Sequence, residues 1–238
     1  MTEATIDVRV WRGGEAGAFQ AYAVPRRANQ TVLDVVTWIH RHLDPTLSYR
    51  YACRVGMCGS CAMTVNGVPR WTCRTHVARV AKADALTIAP LRNLPVIKDL
   101  AADLAPFFDK WAKAEGRFAP KRGLGPDFAI VPPSLRERSA ADAGIECIGC
   151  AVCYAACDVV AARPDYLGPA ALNRAWTLVN DIRDGSTTRL RAIAGDAGCH
   201  ACHGQEGCRT HCPKHLDPTG SIAGLKRMSA LAALKGRL

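Results

Sequence analysis

The chain has 238 residues, a formal net charge of +10, 49% apolar residues and 12 cysteines, but only 6% aromatics. That length means one or two domains, and so few aromatics point to bound metal as a further source of stability. No uncharged apolar run is long enough to span a bilayer, which excludes a transmembrane helix. The acids of Met1-Thr2-Glu3-Ala4-Thr5-Ile6-Asp7 are unlike a secretory leader, and Pro25-Arg26-Arg27 is followed by no apolar stretch. The expectation is a reducing cytoplasm, where clustered cysteines are metal ligands rather than disulfides. The basic residues are spread out with no aromatic interleaving, which argues against nucleic acid and for an acidic partner or lipid head groups.

Ile6, Val8 and Val10 alternate with Asp7 and Arg9, the pattern of a half-buried strand, and a second strand over 18–24 is expected to pair with it across Gly13-Gly14. Thr31-Val-Leu-Asp34 reads as a capping box, opening a helix with Leu33, Val36, Ile39 and Leu43 on its apolar face and His40 and His42 at the surface. Met63 and Val65 run into Asn66-Gly67, a hairpin signal, with a return strand over 68–73 and a further strand over 86–88. Several strands and one helix make a small α+β module. Prolines, glycines and mixed charge then mark a linker over 105–134, with a short helix near 107–114. Beyond it strand signals vanish. Leu172, Trp176, Val179 and Ile182 fit one helix face, and Ile222, Leu225, Met228, Leu231 and Leu234 another. The expected domains are 1–104, the linker 105–134, and an all-helical 135–238 wrapped around cysteine loops.

The cysteines fall into groups. Cys53, Cys58, Cys61 and Cys73 follow C-x4-C-x2-C with a distant fourth member, the plant-type [2Fe–2S] pattern. Three thiolates come from one loop and the fourth reaches back from a neighbouring strand. Gly56 and Gly59 let the loop backbone come close and aim N–H groups at sulfur. Arg50, Arg54, Arg70 and Arg74 partly offset the negative charge. Zinc or free thiols are the alternatives, but structural zinc usually takes two close pairs set further apart. Cys147, Cys150, Cys153 and Cys157 make C-x2-C-x2-C-x3-C, the bacterial run whose fourth cysteine serves the other cluster of a pair. The complementary run is Cys202, Cys208 and Cys212-Pro213, with Gln205 where a cysteine would complete it. Cys147, Cys150, Cys153 and Cys212 then form a full [4Fe–4S] set. Cys157, Cys202 and Cys208 supply three thiolates, which predicts [3Fe–4S]. Cys199 lies off the repeat; it is either a free thiol near the cluster or a fourth ligand that makes this cluster [4Fe–4S].

These motifs resemble the iron–sulfur subunit of succinate dehydrogenase and fumarate reductase over almost the whole chain. The resemblance rests on Leu47 to Cys61, on Cys147 to Cys157 and on Cys212-Pro-Lys-His-Leu-Asp-Pro218; the middle motif and Gly168-Pro-Ala-Ala171 lean towards fumarate reductase. It implies an N-terminal β-grasp [2Fe–2S] ferredoxin domain followed by a helical bacterial-type ferredoxin domain. It implies a flavoprotein partner that carries the FAD, membrane-anchor subunits with or without haem, and a quinone. Electrons would pass between FAD and quinone through the three clusters in chain order. The site would be peripheral, on the cytoplasmic face of the inner membrane. His203 and Lys226 match positions that line the family's quinone site; otherwise they are a solvated histidine and a surface lysine. Asp158, Ala161 with Ala162, Gln205 and Cys199 depart from the family pattern, all near the third cluster. The other histidines offer no second cysteine–histidine pair for a Rieske centre, and no phosphate loop or dinucleotide fingerprint occurs, so no flavin site is expected in this chain. The same relay serving another flavoprotein dehydrogenase, or a soluble ferredoxin-like carrier or redox sensor, are the rival readings.

Overall fold

In the computed structural model, which describes residues 4–123, 125 and 128–238, the N-terminal alternation becomes strand β1 (Thr5–Arg12). Ile6, Val8 and Val10 are fully buried while Thr5, Asp7 and Arg9 face water. Met1, Thr2 and Glu3, and Leu124, Pro126 and Asp127 of the expected linker, lie outside the described residues. β2 (Ala18–Pro25) returns antiparallel, with Tyr22 opposite Val8. After helix α1 (Val32–His42), β3 (Ala62–Val65) and β4 (Val68–Trp71) form a hairpin through Asn66 and Gly67. Both turn residues have positive φ, which a two-residue hairpin of this kind needs and which Asn and Gly tolerate best. A 3-10 turn (Thr72–Arg74), a one-turn helix α2 (Val77–Val80) and β5 (Ala85–Ala89) follow. The sheet order is β2-β1-β5-β3-β4, with β1 and β5 parallel and the other neighbours antiparallel, a β-grasp arrangement.

The capping box forms as written in the sequence. Thr31 Oγ1 accepts from the Asp34 amide at 3.2 Å, and the Asp34 carboxylate accepts from the Thr31 amide at 3.0 Å. Such a cap stabilises a helix by about 1 kcal/mol. Val32, Val35, Val36 and Ile39 then press onto Ile6, Val8, Leu86 and Ile88. Leu43, expected on this face, is instead the exposed C-cap, because the helix ends at His42. His42 is exposed as expected, whereas His40 is half-buried with its ring edge-on to Tyr49. A small pair that the pattern did not signal, β6 (Val96–Lys98) and β7 (Ala101–Ala102), brackets Asp99. Asp99 is 1% exposed and accepts from the amides of Gly13 at 2.7 Å and Ser48 at 2.8 Å and from Arg12 at 2.7 Å. One buried carboxylate therefore ties the first turn to the segment that leads into the first cysteines.

The chain divides into two compact units, Met1–Leu104 with Ile148–Ala156, and Ala105–Cys147 with Cys157–Leu238. Helix α3 (Ala105–Lys113) opens the second unit at the place where a short helix was expected near 107–114. α4 (Arg136–Ile145) follows, then the one-turn α5 (Val152–Ala155), which belongs to the first unit, and α6 (Asp158–Ala162). α7 (Pro169–Val179), α8 (Arg189–Ile193), the one-turn α9 (Gly207–Thr210) and α10 (Pro218–Leu234) complete the second unit. α7 is its axis: α3, α4, α8 and α10 all pack on it, and Leu172 and Ala175 are fully buried. α7 ends at Val179, where the Asn180 side chain donates to Trp176 O at 2.9 Å, so Ile182 lies beyond the helix and is exposed rather than on its face. Gly224 of α10 lies against the Trp176 ring, where a Cβ would come within 2.4 Å, and this lets the two helices approach closely. Ile222 and Leu225 are buried, but Leu231 and Leu234 are exposed because the last turns of α10 leave the packed region. The buried pair Arg189–Asp184, both 2% exposed and 2.5 Å apart, also takes in the carbonyls of Glu115 and Arg117 and so pins that segment to α8. Among the described residues no helix is long and apolar enough to cross a membrane.

Candidate functional site

The first group of cysteines lies wholly in the first unit. Cys53, Cys58 and Cys61 sit on one loop in which Arg54, Gly56 and Gly59 have positive φ. Those left-handed residues coil the backbone so that its amides point inward. Met57 N and Cys58 N each donate to Cys53 Sγ at 3.3 Å, and Cys53 N donates to Cys58 Sγ at 3.5 Å. The amides of Val55, Met57 and Cys58 hold the Cys53 thiol down at about 6. Cys73 arrives from the 3-10 turn after β4. Thr72 braces that turn by donating to Cys61 O through its hydroxyl at 2.7 Å and its amide at 3.2 Å. Burial, with a hydrogen bond to Cys61, pushes the Cys73 thiol up to about 12. Of the arginines expected to offset charge here, Arg54 pairs with Asp34 at 3.0 Å and Arg74 lies beside Gly56.

The second unit brings together Cys157, Cys202 and Cys208. Cys157 caps α6 and receives the amides of Val159 and Val160, while burial raises its thiol. Cys202 accepts from Gly204 N at 3.5 Å. Cys208 is buried, with its Sγ 3.3 Å from Thr219 Oγ1, and burial pushes its thiol up to about 11. The charge of Cys202 acts on both Cys157 and Cys208, and that of Cys157 on Cys208. Tyr166, 1% exposed, donates its hydroxyl to Cys202 and lies near Cys157 and Cys208; burial first, then these thiolates, drive its ionisation far up. Cys199 is fully buried, with its Sγ 3.7 Å from the hydroxyl of Ser229 on α10, and burial raises its thiol. Lys226 donates to Cys202 O at 2.6 Å, and His203, next to Cys202, is exposed. Ala161 and Ala162 are exposed on α6. Sequence reasoning missed Tyr166, Thr219 and Ser229. A Tyr two residues before Gly168-Pro169 carries no spacing signal, and hydroxyl donors to sulfur follow no period.

Cys147 and Cys212 belong to the second unit, and Cys150 and Cys153 to the 148–156 segment of the first. The two bacterial-type runs nonetheless fold alike locally. Gly149 and Ala151, with φ of 64° and 61°, flank Cys150; Gly204 and Glu206, with φ of 71° and 58°, flank Gln205. Ala151 and Glu206 each open a single helical turn whose second residue is a cysteine, Cys153 in α5 and Cys208 in α9. Each turn closes on a cap, Ala156 or His211, one residue before Cys157 or Cys212. The backbone thus treats Gln205 as the counterpart of Cys150, with an amide in place of a thiol. Among the described residues no three His, Cys, Asp or Glu side chains close on one point as a single ion requires. The donor set is thiolate-only, and backbone amides are aimed at the sulfurs. That donor set suits an iron–sulfur cluster, which is held by thiolates.

Comparison with known proteins agrees with this chemistry. The family model for a 2Fe-2S iron-sulfur cluster binding domain matches residues 7–109, and that for a 4Fe-4S dicluster domain matches residues 146–217. The chain is 38% identical to the fumarate reductase iron-sulfur subunit of Mycobacterium tuberculosis, over 92% of this chain and 89% of that one. It is 36% identical to the mitochondrial succinate dehydrogenase (ubiquinone) iron-sulfur subunit 1 of Oryza sativa subsp. japonica, over 83% of this chain and 70% of that one. A chain of the Mycobacterium smegmatis Sdh1 complex in the apo form superposes with a TM-score of 0.87 at 27% identity, over 96% of this chain and 97% of that one.

Proposed function

Because the chain belongs to the family of iron–sulfur subunits of succinate dehydrogenase and fumarate reductase, we propose that it is the electron relay of a succinate:quinone oxidoreductase. Cys53, Cys58, Cys61 and Cys73 would hold [2Fe–2S]; Cys147, Cys150, Cys153 and Cys212 would hold [4Fe–4S]; Cys157, Cys202 and Cys208 would hold [3Fe–4S]. Bound there, the clusters supply one-electron chemistry between the FAD of a flavoprotein partner and a quinone held against membrane-anchor subunits. The protein's own part is to set positions and potentials. Amides on Cys53, Cys157 and Cys202 and the hydroxyls of Thr219 and Tyr166 stabilise negative charge on sulfur. Burial keeps water from Cys61, Cys73 and Cys208.

The observation that supports this reading is the pair of matching turns, one with Cys150 and the other with Gln205 at the second position of the run. Cys199 is read as a neighbouring thiol rather than a ligand, since its sulfur rests on Ser229. His203 and Lys226, flanking Cys202, are the proposed quinone contacts. Residues 1–104 and 135–238 are the proposed domains, with 105–134 between them, and the proposed location is peripheral, on the cytoplasmic face of the membrane. The test is an anaerobic redox titration of the purified complex followed by electron paramagnetic resonance, with iron and acid-labile sulfide assayed beside it. Three centres are expected, the third paramagnetic when oxidised, together with interconversion of succinate and fumarate. Zinc in place of iron, or no acid-labile sulfide, refutes the reading; a second [4Fe–4S] signal in place of the third centre refutes the ligand count.

A further inference from the structure

Gly59 lies between Cys58 and Cys61 with φ of +74°, and a Cβ built on it would fall 2.4 Å from Cys150 Cβ and 3.0 Å from Cys150 Cα. Real side chains do not come that close, so the loop of the first cysteines meets Cys150 through a bare Cα. Gly56, in the same loop at φ +77°, is different: a Cβ there meets Arg74 Cγ, part of a side chain that can swing aside. Gly67, at φ +80°, has nothing near it. The segment that carries Cys150 belongs to the first unit and is tied within it by the Asn93 side chain, which donates to Tyr154 O at 3.0 Å. Asn93 itself has φ of 64°, a conformation glycine would keep while giving up the amide.

We propose that Gly59 is a positioning residue, whose missing side chain sets the distance from the first cysteine nest to Cys150 and hence the electronic contact between neighbouring redox sites. The inference rests on the relay reading and sharpens it. The exchange served is one electron, given up by one site and taken up by the other, with no bond made or broken and no proton moved. Ordinary contact starts at 3.4 Å, so a methyl group at Gly59 would drive Cys150 back by about 1 Å from its 2.4 Å position. With no bond made, the gap between the sites governs the exchange, and the added separation slows it.

The test compares Gly59→Ala, Asn93→Gly and Gly67→Ala in the purified complex with its flavoprotein. It reads iron and sulfide content and the microwave power at which the reduced first centre saturates. A nearby paramagnetic second centre speeds relaxation and makes the signal hard to saturate. Gly59→Ala is expected to keep iron and sulfide while saturating at several-fold lower power, with Asn93→Gly shifted in the same direction and Gly67→Ala unchanged. Gly59→Ala with full clusters and wild-type saturation overturns the proposal, as does the same shift in Gly67→Ala. If Gly59→Ala loses iron, Asn93→Gly decides: full clusters with unshifted saturation overturn the proposal, and a shift supports it. Wild-type protein without iron and sulfide would instead refute the relay reading itself.

Discussion

Replacing Tyr166 with Phe removes one hydroxyl from an enclosed site and leaves the ring in place. Tyr166 is 1% exposed and donates to Cys202, so the sulfur loses a hydrogen bond that water cannot easily replace. A hydrogen bond to a charged acceptor contributes about 1.5–3 kcal/mol. The acceptor carries negative charge in both oxidation states, so only part of that, about 1 kcal/mol, separates oxidised from reduced. For a one-electron couple this corresponds to about 40 mV. The sign follows from charge: the donor favours the more negative, reduced form, and its loss lowers the potential. Tyr166→Phe is therefore expected to shift the third centre about 40 mV more negative, with the first two centres unmoved in the same titration. A third centre at its wild-type potential, or an equal shift of all three, would refute the reasoning.

Gln205→Cys puts a thiol where the matching turn has Cys150; it should add one iron per chain at constant acid-labile sulfide and abolish the oxidised-state signal of the third centre, whereas unchanged iron would show that the two turns are not equivalent. In anaerobic chain stripped by chelator, brief iodoacetamide treatment at pH 7 should alkylate Cys53 ahead of Cys73. The Cys53 thiolate, stabilised by amides, persists down to about 6, while Cys73 stays protonated up to about 12; mass spectrometry showing equal labelling would contradict this. Asp99→Ala leaves the amides of Gly13 and Ser48 and the Arg12 guanidinium without their shared acceptor. The expected cost is about 3 kcal/mol, which should lower the temperature at which the first cluster's visible absorption bleaches by roughly 10 °C. An unchanged midpoint would mean that water replaces the carboxylate.

Much of the first unit was legible because its cues are local. The alternation in β1, the reciprocal cap between Thr31 and Asp34, and the Asn66-Gly67 turn each depend on residues within a few positions of one another. Helix faces read from periodicity failed where a helix stopped or outran its packing. Ile182 lies past the end of α7, Leu43 falls at the cap of α1, and Leu231 and Leu234 extend beyond the helices that bury Ile222 and Leu225. Periodicity says which residues share a side; it does not say how far a neighbour reaches. The pair around Asp99 was invisible for a related reason, since its partners at Arg12, Gly13 and Ser48 are remote in the chain.

The repeat that makes Gln205 the counterpart of Cys150 was written in the sequence, because each turn is built from residues next to one another in the chain. The packing of Cys199 was not, since spacing carries no sign of a partner as remote in the chain as Ser229. Its burial against Ser229 depends on where α10 packs. The same holds for Tyr166 over Cys202 and for Cys150 against Gly59. Chain spacing governs what a loop can wrap around, but what presses on that loop from a distant segment is decided only when the packed layers come together.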